Sequence, residues 1–174
     1  VLTYKIAYLL ENGFEPWSIL ALTFTNKAAN EMKERIAARV GARAASMLWM
    51  GTFHSVFSKI LRREAHHIGY GPQFTIYDQA DSRSLVKSII KEMQLDDKVY
   101  KPNVVAERIS SAKSALISPS DYENDQGLRR DDLHARIPST YEIYKRYAER
   151  CRLANAMDFD DLLLRTNELL ARFP

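Results

Sequence analysis

The residues with the clearest chemical potential stand in two strings, TFTNKAA at 23–29 and GTFHSVFSKILRR at 51–63. Each sets hydroxyl groups, an aromatic ring and a polar or cationic side chain where an apolar, strand-like run turns at once into helix. At such a switch the carboxyl end of a strand and the amino end of a helix meet, and the unpaired first-turn N–H groups favour phosphate. In the first string Thr25 or Asn26 can cap the helix, Lys27 adds a positive charge, and Phe24 can leave the sheet to offer a flat face to a base. In the second, Thr52 and His54 lie at a helix amino end. The plain alternative is a capped strand-to-helix junction with its phenylalanine in the core and His54 as a structural hydrogen bonder. Two similar junctions on neighbouring strands would open on one sheet edge, where α/β proteins bind ligands.

A third string, MDFDDLLL at 157–164, carries three carboxylates within four residues, a pattern that raises a metal site. The better reading is a helix start, with Asp158 as cap and Asp160 and Asp161 complementing the dipole. The metal-binding acid of nucleotide hydrolases follows a strand, and RCRLANAM reads as no strand. No metal ligand is therefore expected here. Phe159, between acids, is either core or a third aromatic for stacking. His66 and His67, adjacent on a helix, are expected to diverge and not to share a metal. No Gly-x-x-x-x-Gly-Lys-Ser/Thr loop occurs, and no Ser-His-Asp arrangement announces itself. Lys27, Lys33, Arg35, Arg39, Lys59, Arg62 and Arg63 read as a solvated face that also suits a nucleic-acid backbone if some converge.

The elements that must position these residues follow from spacing. The 174 residues, 46% of them hydrophobic, suffice for one domain or one domain with an insert. Lys plus Arg number 25 against 22 Asp plus Glu, which excludes a polycationic tail and leaves room for a local basic face. Cys151 is the single cysteine, so a reducing, cytoplasmic setting is expected. No apolar run approaches the roughly 20 residues of a membrane span. The opening VLTYKIAYLLENG reads as an amphipathic helix with Leu2, Ile6, Leu9 and Leu10 on one face, and Val1, with no Met or cap before it, reads as a cut from a longer protein.

Residues 1–69 follow an αβαβα rhythm: helix, strand Ile19 to Phe24, helix Ala28 to Val40, short strand Met47 to Gly51, helix Phe53 to Ile68. From Gly69 to about Asn155 the strand signal disappears and three helices are expected. Their stripes are Leu85, Ile89, Met93 with Val86 and Ile90; Val105, Ile109 and Leu116 after Pro102; and Tyr141, Tyr144, Ala148 and Cys151. Asp78 or Asp81 caps the first of them. The polar link ISPSDYENDQGLRRDDLHARIP reads as a mobile loop. Residues 158–172 return to an amphipathic helix, and Phe173-Pro174 follow with no closing element. The fold class is α/β, mostly helical, with a parallel-sheet remnant.

Taken in order, TFTNKAANEM, GTFHSVFSKILRR and MDFDDLL, with the intervening FTIYDQADSRSLVKSIIKEM and ISSAKSALISPSDY, resemble the UvrD/PcrA/Rep-type DNA helicases of superfamily I. The likeness runs over essentially the whole chain. It implies a truncated RecA-like P-loop NTPase domain, called 1A, over 1–69 and 156–174. An all-α insert, 1B, would occupy 70–155 near the duplex junction. It implies an ATP-dependent 3′ to 5′ translocase and helicase, acting in repair or replication, with ATP and Mg²⁺ as cofactors of the full-length protein. The partners implied are single-stranded DNA, its junctions with duplex, and a second motor domain of the same chain, with no membrane. Motif Ia would place Phe24 on a base and Thr25, Asn26 and Lys27 at the backbone; motif Ib would give Thr52 and His54 to phosphates; Phe159 would line the base path. The P-loop and the Asp-Glu-x-x-Asp metal box are not found, so the chain alone is expected to bind no nucleotide and to hydrolyse none. Two other readings stand beside this one: the motor of an AddA/RecB-type helicase-nuclease, and an independent helical DNA-binding or interaction module.

Overall fold

The computed structural model describes residues 2–173. The readings placed on Val1 and Pro174 lie outside the described residues. The fold divides into two compact units, one ending at Lys59 and one beginning at Ile60.

In the first unit, α1 (Leu2–Glu11) leads through a 3-10 turn, Pro16–Ser18, into β1 (Leu20–Thr23), then α2 (Asn26–Val40), α3 (Ala42–Met47) and β2 (Trp49–Thr52). The two strands are parallel, with Leu20 opposite Trp49 and Thr23 opposite Thr52. A parallel pair needs a long crossover, and α2 with α3 supplies it. The expected strand at Met47 is displaced: Met47 ends α3, which the sequence reading lacked. Gly41, at φ 87°, closes α2, and the run Ala42-Arg-Ala-Ala has high helix propensity, so the chain helicates once more before the sheet. Ile6, Ile19, Ala21, Met32, Ile36, Ala45, Leu48 and Met50 make the core. Leu9 and Leu10 pack partly against it, whereas Leu2 of the expected α1 face is exposed.

The helix α4 (Phe53–Glu64) contains the division between units and ends in a 3-10 turn, Ala65–Ile68. The second unit continues with β3 (Thr75–Tyr77), α5 (Gln79–Glu92), α6 (Pro102–Ser114), α7 (Pro119–Asn124), α8 (Gln126–His134), α9 (Thr140–Leu153), β4 (Ala156–Asp158) and α10 (Phe159–Arg172). This unit differs from the sequence-based expectation in three places. First, β3 and β4 form a parallel pair, Thr75 opposite Ala156 and Tyr77 opposite Asp158. Three-residue strands are too short to show period-two alternation. Second, the preceding ANAM enters a strand, so Asp158 stands at a strand end, contrary to the expectation that it follows none. Third, the supposed mobile loop holds α7 and α8. Ser118 and Asp121 form a capping box at α7, and Asp125 accepts from the Gly127 and Leu128 N–H groups at α8. Cap residues so close together read as turns.

Two cores serve this unit. Val86, Ile89, Ile90, Val105, Ile109, Tyr122, Ile143, Tyr144, Tyr147 and Cys151 are among the first, which joins the helical segment, including Tyr122 of α7. Leu61, Ala65, Tyr70, Phe74, Met157, Leu162 and Leu169 form the second. Of the expected stripes, Val86, Ile89 and Ile90 of α5 and Tyr144 and Cys151 of α9 are buried, while Leu85, Met93, Tyr141 and Ala148 are only partly so. The helix α9 also buries Ile143 and Tyr147, which the expected stripe omits. Asp78 caps α5 and Asp81 reciprocates. Leu116 departs from the α6 stripe, because the helix has ended and Leu116 sits at φ 59°.

Candidate nucleic-acid interface

Parallel register brings Thr23 and Thr52 together at the carboxyl ends of β1 and β2. The chain leaves β1 through Phe24 and enters α2 with Thr25 as N-cap, whose hydroxyl accepts from the Ala28 N–H at 3.2 Å. Asn26 and Lys27 occupy the first turn, both exposed, where helix N–H groups lack intrahelical acceptors and the dipole favours an anion. Phe24 is 87% exposed, which removes the core alternative. Its ring centroid lies 5.3 Å from that of Phe53, and Phe53 lies 5.8 Å from Phe57 in an edge contact. This aromatic row braces an otherwise solvated ring.

The second junction is built alike. Thr52 is buried, and its hydroxyl accepts from the Ser55 N–H at 3.2 Å while Ser55 Oγ donates to the Thr52 carbonyl at 2.9 Å. Thr52 therefore caps α4 first of all. A Cβ on Gly51 would stand 2.5 Å from Ser55 Oγ, so a larger residue there would turn that hydroxyl off the Thr52 carbonyl. His54 lies exposed in the first turn of α4. The expected basic face is partly committed. Arg35 pairs with Glu31 at 3.3 Å, Arg39 stacks 4.3 Å from the Tyr4 ring, and Arg62 donates to the Pro72 and Phe74 carbonyls. Lys27, Lys33 and Lys59 are exposed.

Phe159 belongs to the second unit, and the construction behind it was not anticipated. Asp158 ends β4 and caps α10, accepting from the Asp161 N–H at 2.8 Å, while the Asp161 carboxylate accepts from the Asp158 N–H at 3.2 Å. Lys113 of α6, only 1% exposed, sets its Nζ 2.7 Å from Asp158 and 2.8 Å from Asp161. The Tyr147 hydroxyl of α9 donates to Asp158 at 2.7 Å. Burial alone would raise the Asp158 pKa, but the Lys113 charge with the Lys113 and Tyr147 hydrogen bonds holds it below the usual carboxylate range. Asp161, more deeply buried and facing Asp158, is pushed up instead. Burial opposes the Lys113 charge, yet the two carboxylates win and hold its pKa above the ordinary lysine value. Asp161 Oδ1 and Arg165 Nε make no hydrogen bond and face each other at 3.8 Å, a charge contact only. Burial pushes the neighbouring Cys151 thiol up to about 12, leaving it an inert core group.

The Asp158 to Asp161 carboxylates do not fit a Mg²⁺ ion, because the ammonium of Lys113 already stands between two of them. What the network does is fix the first residue of α10. Phe159, 52% exposed, lines a cavity of about 400 Å³ together with Tyr77, Arg83, Asn103, Tyr147 and Asp160. The sequence did carry a signal for Lys113: it continues the Val105 and Ile109 spacing by four residues, a charged group on a buried stripe.

Phe24, Thr25, Asn26, Lys27, Thr52 and His54 are thus gathered at two adjacent junctions of one sheet edge, and Phe159 stands at a comparable junction of its own unit. A family model described as the UvrD/REP helicase N-terminal domain matches residues 1–174. The ATP-dependent DNA helicase PcrA of Staphylococcus epidermidis (strain ATCC 35984) is 42% identical over 175 residues, covering 100% of this chain and 23% of the relative. The protein of the same name from Staphylococcus aureus (strain Mu50) is 41% identical with the same coverage. The chain spans less than a quarter of the length of these relatives.

Proposed function

The chain belongs to the UvrD/REP helicase N-terminal domain family, and on that premise we propose that it is the DNA-tracking part of an ATP-dependent 3′ to 5′ DNA helicase. Single-stranded DNA runs over the first-unit edge, with Phe24 stacked on a base and Thr25, Asn26, Lys27, Thr52 and His54 facing the backbone. Phe159 serves as a second stacking platform, and the cavity beside it gives a splayed base room. Residues 70–155 act as the helical insert near a duplex junction, and 1–69 with 156–174 as part of the motor domain. Among the described residues no helix is long and apolar enough to cross a membrane, and we place the protein in the cytoplasm.

The observation that carries this reading is Phe24. A phenylalanine 87% exposed, braced by a second ring at 5.3 Å beside a capped helix amino end, suits stacking plus phosphate contact and little else. Stacking contributes about 1–3 kcal/mol per base whatever the sequence, and backbone contacts carry no sequence information. A motor that steps along any DNA needs both properties. ATP and Mg²⁺ serve the full-length protein; no phosphate-binding glycine loop occurs in these 174 residues, and no residue here is assigned to them.

The test is made in the full-length helicase with Phe24→Ala and Phe159→Ala. Each is expected to weaken single-strand binding about 5- to 150-fold, the stacking loss in fold terms, and to depress DNA-stimulated ATPase while basal ATPase stays. Equal loss of both ATPase activities, or no change in DNA binding, overturns the assignment.

A further inference from the structure

The turn after α4 gathers Glu64, His66 and His67, whose ligating atoms all lie within 4.8 Å of one another. Adjacent histidines on a regular helix point apart, the arrangement expected of His66 and His67 from sequence. Here the rings lie with centroids 4.0 Å apart. The cause is the 3-10 turn over Ala65–Ile68, in which residues three apart eclipse. His67 stands over Glu64, with Nε2 to carboxylate oxygen 3.6 Å, and His66 turns back so that its Nδ1 meets the Arg63 carbonyl at 3.1 Å. Because Arg63 and Glu64 are neighbours, the two rings come to rest side by side.

We propose that Glu64, His66 and His67 form a binding site for a divalent transition-metal ion, Zn²⁺ being the ion it suits best, with solvent in the fourth position. Two imidazoles among three ligands select zinc, copper and nickel over the hard cations Ca²⁺ and Mg²⁺, which prefer all-oxygen sets, and a single carboxylate is an ordinary third ligand of zinc. The His66 Nδ1–H donating to a backbone carbonyl leaves Nε2 as the lone-pair nitrogen, the outer-shell arrangement that orients metal-binding histidines. His67 is steadied by the Phe173 ring at 5.0 Å. Ligand atoms of a tetrahedral zinc centre stand about 3.3 Å apart. The Glu64 to His67 separation is already close to that, and rotation of exposed side chains closes the rest. Arg172 lies near, 5.5 Å from the Phe173 ring, but its charge is met by Glu168 at 2.9 Å. None of its three ligands belongs to the Lys113 cluster or to the residues proposed to meet DNA.

Titration of ZnCl₂ into the metal-free 174-residue chain by calorimetry tests the proposal, with Co²⁺ absorption reporting coordination geometry. One equivalent is expected to bind, with the intense visible bands of a tetrahedral Co²⁺ centre. His66→Ala, His67→Ala and Glu64→Gln are each expected to weaken binding at least about tenfold, the loss that even an outer-shell partner causes. All three positions are exposed, so the variants should fold, which far-UV circular dichroism verifies. No binding in the parent chain, or the same affinity in all three variants, overturns the site.

Discussion

Lys113 is the residue on which the second unit's polar interior turns. Its ammonium meets two carboxylates at 2.7 and 2.8 Å inside the protein. Deleting one partner of a buried pair costs about 3–5 kcal/mol, because the remaining charge is left uncompensated. Asp158, held low, adds stability that is present above the ordinary aspartate pKa and is lost as pH falls through its folded value. Lys113, held high, adds stability present below the ordinary lysine pKa and lost only in strong alkali. Both contributions are therefore complete at neutral pH. In Lys113→Met the carboxylates keep their burial without the cation, so their pKa values rise and the folded state takes up protons as pH falls. The expected result is a loss of about 3–5 kcal/mol near neutral pH that shrinks toward about pH 5, above the ordinary carboxylate range, read from urea melts at both. A deficit independent of pH would show that the lost packing, not the charge, dominates. The single residue was legible only as a breach of the α6 stripe; its partners, 45 and 48 positions along the chain, were not, since nothing local marks so distant a pair.

At the scale of elements, legibility followed length. The long helices α2, α5, α9 and α10 show their apolar period over several turns and were read nearly to their ends, as were the capped junctions at Thr25 and Asp158. The short pieces were not. The three-residue strands β3 and β4 have no period to show, and α7 and α8 resemble a loop because Ser118, Asp121 and Asp125 are turn formers and cap formers alike. Tertiary contacts decide between those roles. The Tyr122 hydroxyl donates to buried Asp132 at 2.7 Å, Arg108 of α6 stands 3.3 Å from the same carboxylate, and the Tyr122 ring meets Tyr144 edge-on at 6.0 Å. Burial pushes the Asp132 pKa up despite Arg108, so a neutral acceptor of the same shape is tolerated there. Asp132→Ala, which strands the Tyr122 hydroxyl, is expected to cost about 1–3 kcal/mol. Asp132→Asn, which keeps an acceptor, is expected to cost less than half as much in the same denaturation assay. Equal losses would mean that the carboxylate charge, not the hydrogen bond, pins α7 to α8.

At the scale of the whole molecule, the alternation of helix and strand before Gly69 and the run of helices from Gln79 on were visible because hydrophobic spacing reports which long elements exist, whereas α3 and β3 were too short to show. The candidate site was legible as a set of junctions: Phe24, Thr25 and Thr52 share one edge because both strands run parallel. Spacing does not report how many cooperative bodies those elements build. Each unit has a core of its own, one around Ile36 and Met50, the others around Tyr144 and Leu162, and separate cores are the physical basis of separate cooperative unfolding. Ile36 is fully buried, so Ile36→Ala removes transfer energy and leaves a cavity, together about 2–5 kcal/mol. That loss is expected to fall on amides of β1, β2 and α2 in native-state hydrogen exchange, leaving protection in α5, α6 and α9 unchanged. If protection fell equally in every helix, the chain would unfold as one body. The first-unit edge that carries Phe24 would then draw its stability from the whole fold, and any substitution that weakens the helical segment would weaken the proposed DNA path with it.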